Sequence, residues 1–138
     1  MTATLALDVG TKRIGVAVSD PGGTYAIPLA TIVRTNVRAD LARIVDLAAE
    51  HASGEIVVGD PITLRGERGP AAQKIDAFVE ELRRVFGGTI HRVDERMTTA
   101  QATKVMIAAN ASRNRRKQAV DMMAAALILE TFLARRRS

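Results

Sequence analysis

The stretch LALDVGTKRIGVAVSD, residues 5–20, decides the fold of this chain. Apolar runs on both sides of a turn at residues 10–12 predict a hairpin of two strands, over 4–9 and 13–19. The first run contains an aspartate, Asp8, between apolar neighbours. Burying a carboxylate among such neighbours is costly unless its charge is compensated. Asp8 is therefore either balanced by a cation or a turn-forming or capping residue at the end of the strand.

The composition predicts a single soluble globular domain over residues 1–138. With 47% hydrophobic and 25% charged residues, the chain is long enough to bury a core and too short for a second domain. No apolar run approaches the about 18–20 residues that cross a membrane, and no secretory signal is visible. The absence of cysteine excludes disulfides, thiolate zinc sites and cysteine nucleophiles, and it fits a cytoplasmic protein.

The charge balance indicates nucleic acid as the partner. The net charge is +5, and most of the twenty basic residues are arginine, whose guanidinium group binds phosphate oxygens bidentately. Aromatic residues make up 3% of the chain and tryptophan is absent, which argues against a base-stacking platform. Recognition of duplex shape or of a branched junction fits this composition better.

Beyond the hairpin, the pattern predicts an α/β domain. A third strand over 25–33 contains Pro28, which indicates an edge position or a bulge. Asn36 is the expected N-cap of the helix that follows. Further strands are predicted over 55–59 and 89–93, and further helices over 75–86, 99–109 and 119–134, with a basic linker over 110–117. This order predicts a mixed five-stranded sheet, its first three strands antiparallel and its later strands parallel, flanked by helices.

Three acidic residues occupy unusual places in this arrangement. Asp8 lies within the first strand, Glu95 directly follows the last strand, and Asp121 lies in the first turn of the predicted final helix. Ligands of open sheets bind at the carboxyl ends of the strands, where these acids would converge and repel one another. Mg²⁺ or Mn²⁺ would relieve that repulsion, and a pair of such ions about 3.5–4 Å apart can promote phosphodiester hydrolysis. Alternatively, Asp121 interacts with the helix dipole and Glu95 is a solvated loop residue.

Basic residues follow two of these acids in the chain. Lys12 and Arg13 leave the turn beside Asp8, and each is a candidate contact to a phosphate or an exposed charge. Arg96 follows Glu95 and either contacts a phosphate or pairs with Asp94. The densest basic cluster immediately precedes Asp121 and consists of Arg113, Arg115, Arg116 and Lys117. Such a segment either holds the nucleic-acid backbone near the acids or forms a solvated linker.

With these residues identified, the chain resembles the YqgF/RuvX family of Holliday-junction resolvases or pre-16S rRNA nucleases. The resemblance covers nearly the whole chain and is carried by residues 5–20, by VVGDP at 57–61, by VDERMTT at 93–99, and by AAALIL at 124–129 after Asp121. It implies an RNase H-like fold and Mg²⁺- or Mn²⁺-dependent cleavage of phosphodiester bonds. It also implies that Asp8, Glu95 and Asp121 are the catalytic, metal-binding acids.

One position departs from the family pattern. The family has an apolar residue where this chain has Asp60 in the block VVGDP. Related nucleases place an active-site acid after the strand beside the first one, so we hypothesise that Asp60 assists Glu95 in binding metal. The alternative is a turn-forming aspartate before Pro61.

Two other functions are compatible with the same residues. The hairpin also resembles the phosphate-binding hairpin of actin-like ATPases, although those enzymes need two domains. A ribosome-assembly factor that binds nucleic acid without cleaving it would have the same charge and fold. Within the nuclease interpretation, resolving a four-way junction requires two active sites, so a homodimer is expected if the substrate is a junction.

Overall fold

The fold is a five-stranded sheet with helices on both faces. The computed structural model describes residues 3–62, 65–95 and 113–137, with the backbone alone described at 113–118 and 137. In chain order the elements are β1 Ala3–Val9, β2 Arg13–Ser19, β3 Ala26–Val33, α1 Val37–Glu50, β4 Ser53–Asp60, α2 Pro70–Val85, β5 Thr89–Asp94 and α3 Arg113–Arg137. None of the helices within these ranges has the length and apolar character needed to cross a membrane.

The sheet has the mixed topology that the sequence predicts. Its strand order is β3-β2-β1-β4-β5. The first three strands pair antiparallel, and β1–β4 and β4–β5 pair parallel. Pro28 lies on the edge strand β3, and the β2–β3 register shifts between Val16 and Ala17, where Ala17 faces Pro28. Both features expected of Pro28, an edge position and an irregular register, are confirmed.

Two cores lie on opposite faces of the sheet. The first joins β1, β2 and β4 to the apolar faces of α1 and α2, including Ile44 and Phe78. The second joins small and branched residues of the sheet to α3, where Ala125 and Leu129 are fully buried. Asn36 caps α1 as predicted, because its side-chain oxygen accepts a hydrogen bond from the Ala39 amide at 2.9 Å.

The start of α3 corrects the prediction of a basic linker. The residues predicted to form that linker are helical from Arg113, so Arg113, Arg115, Arg116 and Lys117 lie in the first turns of α3. Arginine, lysine and glutamine are good helix formers, and no proline or glycine interrupts the segment. Asp121 therefore lies two turns into α3, beyond the reach of the helix dipole that the alternative interpretation invoked. The predicted helix over 99–109 lies outside the described residues.

Candidate active site

Asp8 lies at the carboxyl end of β1 on the face that α3 covers. Side chains alternate between the faces of a strand, and Ala6 belongs to the α3 core while Leu7 belongs to the opposite core. Asp8 shares the face of Ala6, is 5% exposed, and has Gly15 of β2 as its strand partner. The Asp8 carboxylate is therefore buried at the end of the strand.

Glu95 reaches back over the neighbouring strand β4. A β-carbon at Gly59 would lie 2.8 Å from Glu95 Oε1 and 2.5 Å from Ile128 Cδ1, so the missing side chain leaves the space that Glu95 occupies. Because β4 pairs in parallel with β1, Gly59 lies at the same edge of the sheet as Asp8. The loop acid after β5 is thus directed to the end of β1.

Asp121 approaches the same edge from α3. The helix passes so close to β2 that a β-carbon at Gly15 would lie 1.9 Å from the backbone oxygen of Asp121. Since Gly15 is the strand partner of Asp8, this contact brings Asp121 beside the first acid. The Asp121 side chain is 13% exposed, and its Oδ2 accepts a 2.7 Å hydrogen bond from Arg13 Nε. A guanidinium therefore compensates this carboxylate.

Asp8 and Glu95 line one cavity of about 520 Å³ at the carboxyl edge of the sheet. Its other walls are the β1–β2 turn, including Thr11, and α2, including Ile75 and Phe78. Asp121 is not part of this described lining. Within residues 3–62, 65–95 and 113–137, no three His, Cys, Asp or Glu side chains lie close enough together to hold a metal ion. The structure thus brings two predicted acids onto one cavity and keeps the third beside it, bonded to Arg13.

The donor chemistry of this edge fits a hard divalent cation. Asp8, Glu95 and Asp121 contribute carboxylate oxygens at this edge, and such oxygens are the ligands that Mg²⁺ and Mn²⁺ prefer.

Asp60 lies on the other face of the sheet. It follows Val58 in the alternation of β4, and Val58 belongs to the α1–α2 core. Its carboxylate pairs with Arg68 and, at 2.9 Å, with Arg92, and both arginines also pair with Asp76 of α2. This closed ring of four charges argues against the hypothesis that Asp60 assists Glu95, because a ligand role would require these pairs to break.

The predicted nucleic-acid contacts divide into three groups. Lys12 is exposed on the hairpin turn, whereas Arg13 is directed to Asp121. The basic residues at the start of α3 precede Asp121 on the same helix by four to eight residues, about 6–12 Å along its axis. Arg96 lies outside the described residues.

The cavity also contains two basic residues that the sequence did not identify as site residues. Arg34, just after β3, and Lys74, in α2, line the cavity with Asp8 and Glu95. The only signal for Lys74 is its place beside Ile75, on the border of the buried face of α2. No local pattern relates Arg34 to the acids.

A larger groove of about 810 Å³ lies elsewhere, between α1 and α2. Apolar side chains such as Leu41 and Val85 dominate its lining, and none of the three candidate acids contributes to it. Because none of the three candidate acids lines this groove, we assign the site to the smaller cavity.

The mixed five-stranded sheet with helices on both faces has an RNase H-like fold. Among solved structures, Thermus thermophilus RuvC in complex with a Holliday junction substrate is similar, with a TM-score of 0.62, 16% identity, and coverage of 100% of this chain and 97% of that chain. The large terminase nuclease from thermophilic phage G20c has a TM-score of 0.50 at 14% identity and covers 96% of this chain and 56% of that chain. These likenesses show the fold.

The family follows from the sequence comparisons. The model of the family described as RuvX, Holliday junction resolvase, matches residues 2–135. A relative from Moorella thermoacetica is 45% identical over 131 residues, covering 95% of this chain and 94% of the relative, and one from Halalkalibacterium halodurans is 43% identical over 136 residues, covering 97% of each. Both relatives are named "Putative pre-16S rRNA nuclease". The chain belongs to the RuvX family of nucleases, which confirms the resemblance inferred from the motifs.

Proposed function

We propose that this protein hydrolyses phosphodiester bonds of structured nucleic acid with the help of Mg²⁺ or Mn²⁺. The observation that carries the proposal is the shared cavity of Asp8 and Glu95 at the carboxyl edge of the sheet, with Asp121 beside it. In the proposal these three carboxylates are the catalytic residues and hold the metal. When bound, Mg²⁺ or Mn²⁺ supplies Lewis-acid stabilisation of the charge that develops on the scissile phosphate.

The protein's own residues contribute rigidity and charge to this site. Asp8 is fixed on a central strand, and its burial excludes water from one side of the carboxylate. The position of Glu95 depends on the space above Gly59, and that of Asp121 on the close approach of α3 to Gly15. Such packing limits the movement of the three carboxylates. A preorganised site of this kind favours catalysis.

Two substrates are compatible with the comparisons. The name of the curated relatives supports the precursor of 16S rRNA, whose 5′ end we propose as the place of cleavage, and the family description supports the Holliday junction. The basic first turns of α3 would bind the backbone of either, because phosphate contacts carry no sequence information. A cytoplasmic location is part of the same proposal, since both substrates occur there.

The test is cleavage of a labelled 16S rRNA precursor and of a four-way DNA junction, each with Mg²⁺ and with Mn²⁺. We expect metal-dependent products from at least one substrate, and a loss of at least about 100-fold in Asp8→Asn. Asp46→Asn, which removes an exposed carboxylate from α1, is the matched control and should retain full activity. Equal cleavage by Asp8→Asn and the wild type would reject the proposed site. Metal-independent binding without cleavage would favour a non-catalytic assembly factor.

For the junction substrate we also propose a homodimer, because resolution requires two active sites on two strands. Sedimentation at the assay concentration should then show a dimer when the junction is the substrate that is cleaved. Junction cleavage by a strictly monomeric protein would contradict this part of the proposal.

A further inference from the structure

The cavity contains an unassigned cation on the side opposite to α3. Lys74 lies in the second turn of α2 and lines the same 520 Å³ cavity as Asp8 and Glu95. Its side chain is exposed rather than packed into the core of the helix pair. A positive charge is thus presented to the space in which a phosphate near the two acids would lie.

The two cations of the cavity differ in what they already bind. Arg34 is bonded through Nε to the buried Asp40 at 3.2 Å and through Nη1 to the Gly10 carbonyl at 2.8 Å, and its guanidinium covers the Phe78 ring at 5.3 Å. Arg34 therefore holds the β1–β2 turn in place. Lys74 makes no ion pair with any carboxylate of the described ranges. Its ammonium group is accordingly available to a ligand.

The surroundings of Lys74 favour an anion. The first turn of α2 contains no acidic residue, and Gly69 caps it without a side-chain hydrogen bond. Ala71 of this turn also lines the cavity, so the positive end of the helix adds to the potential of the lysine. The acids on the opposite wall are the proposed metal ligands, whose charge a bound cation would offset.

We propose that Lys74 binds a backbone phosphate that flanks the cleaved one. The substrate strand then crosses the carboxyl edge of the sheet with α2 on one side and the basic start of α3 on the other. This inference rests on the proposed function for the place of the cleaved phosphate. It assigns α2 as a second substrate-binding element and Lys74 as a binding residue that does not touch the reacting atoms.

The experiment compares Lys74→Gln with Arg83→Gln, which removes the same charge from the far end of the same helix. Arg83 is exposed and pairs only weakly with Glu80 at 3.5 Å, so both variants should fold. The labelled rRNA precursor and the four-way junction are titrated in EDTA by fluorescence anisotropy at five salt concentrations, and cleavage is followed separately with Mn²⁺.

For Lys74→Gln we expect Kd to rise by about 3–10-fold, and the slope of log Kd against log salt to fall by about 0.7–0.9, the value for one phosphate contact. KM should rise with Kd while kcat stays within about threefold, and Lys74→Arg should restore binding. Arg83→Gln should leave the salt slope unchanged.

An unchanged slope in Lys74→Gln, or an equal change in Arg83→Gln, would overturn the inference. The two proposals fail separately in this design. A wild type that cleaves both substrates with no effect of Lys74→Gln rejects only the role of Lys74. A protein that cleaves neither substrate but loses one phosphate contact in Lys74→Gln rejects only the nuclease proposal.

Discussion

Arg13 occupies the place at Asp121 where the sequence suggested only a phosphate contact or an exposed charge. The two side chains are 108 residues apart in the chain and are mostly buried, at 27% and 13% exposure. A charged hydrogen bond in such a place neutralises the carboxylate before any metal binds. Arg13 therefore supports α3, and it would compete with the metal that we propose for Asp121.

This competition predicts how Arg13→Gln behaves. Without metal, the variant should lose about 1–2 kcal/mol of unfolding free energy, because Asp121 keeps its charge and loses its partner. Saturating Mg²⁺ should then raise Tm more in Arg13→Gln than in the wild type, since the added cation replaces the missing guanidinium. Differential scanning fluorimetry with and without Mg²⁺ measures both effects. An equal rise of Tm in the two proteins would contradict the competition.

Asp60 provides the second prediction for single residues. Asp60→Asn should leave Mn²⁺ affinity unchanged in calorimetric titration, while Glu95→Gln should lower it at least about tenfold. The same Asp60→Asn change should lower the unfolding free energy by about 1–3 kcal/mol in urea, because the half-buried Arg92 loses a partner. Equal losses of metal affinity in the two variants would restore the metal-ligand hypothesis for Asp60.

At the scale of elements, the contact between α3 and β2 sets the place of Asp121. Three successive alanines, Ala124, Ala125 and Ala126, are buried against the sheet, and small side chains allow a helix to approach closely. At Gly15 the approach leaves no room for a β-carbon. The positions of Asp121 and of the first turns of α3 thus depend on Gly15 in β2.

Gly15→Ala should therefore cost about 2–3 kcal/mol of unfolding free energy and most of the nuclease activity, because the methyl group pushes α3 away from β2. Gly87→Ala is the matched control. A β-carbon at Gly87 meets nothing within 4 Å. The unfolding free energy of Gly87→Ala should therefore equal that of the wild type or exceed it slightly. Urea unfolding and the cleavage assay test both variants. Retention of full stability by Gly15→Ala would show that α3 lies farther from the strand.

At the scale of the whole molecule, the two ends of α3 make different contacts. Its first turns carry the basic residues near the acids, and its last turn is hydrogen-bonded to the amino end of β4. There Arg136 donates to both carboxylate oxygens of Glu55, at 2.8 and 3.1 Å, and lies over the Phe132 ring at 4.5 Å. The hydrogen bonds from Arg136 hold the pKa of Glu55 below its ordinary value, against the opposing effect of burial.

This pair predicts a pH-dependent contribution to stability. Because the pKa of Glu55 is lower in the folded protein, the stabilisation is fully present above the unfolded value of about 4.3 and is lost as pH falls through the folded value. At pH 7, Arg136→Gln should cost less than about 1 kcal/mol, since solvent screens this exposed pair. Urea unfolding from pH 7 to pH 3 should show the difference from the wild type shrinking. A constant difference would assign the loss to the Phe132 contact instead.

Local patterns in the sequence were sufficient to determine the fold and the candidate acids. Alternating apolar residues around the turn predicted β1 and β2, and Pro28 predicted the edge strand. A carboxylate within an apolar run identified Asp8, and the end of the last strand and the start of the predicted final helix pointed to Glu95 and Asp121. The family resemblance then implied that these three acids are catalytic. The prediction of a linker before α3 was wrong. A basic, polar composition is typical of a linker, but these residues also favour a helix.

Only the tertiary structure decided which of these groups meet. The Arg13–Asp121 bond, the ion ring of Asp60, and the presence of Lys74 in the cavity each join residues from different elements. Such contacts depend on strand register and on how closely a helix docks, as Gly15 shows for α3. Periodicity along the chain specifies which face of an element is buried, but not which residue of a distant element lies opposite. The sequence by itself therefore determined the sheet, α1, α2 and the candidate acids, whereas the packing of the elements determined the partners of these acids.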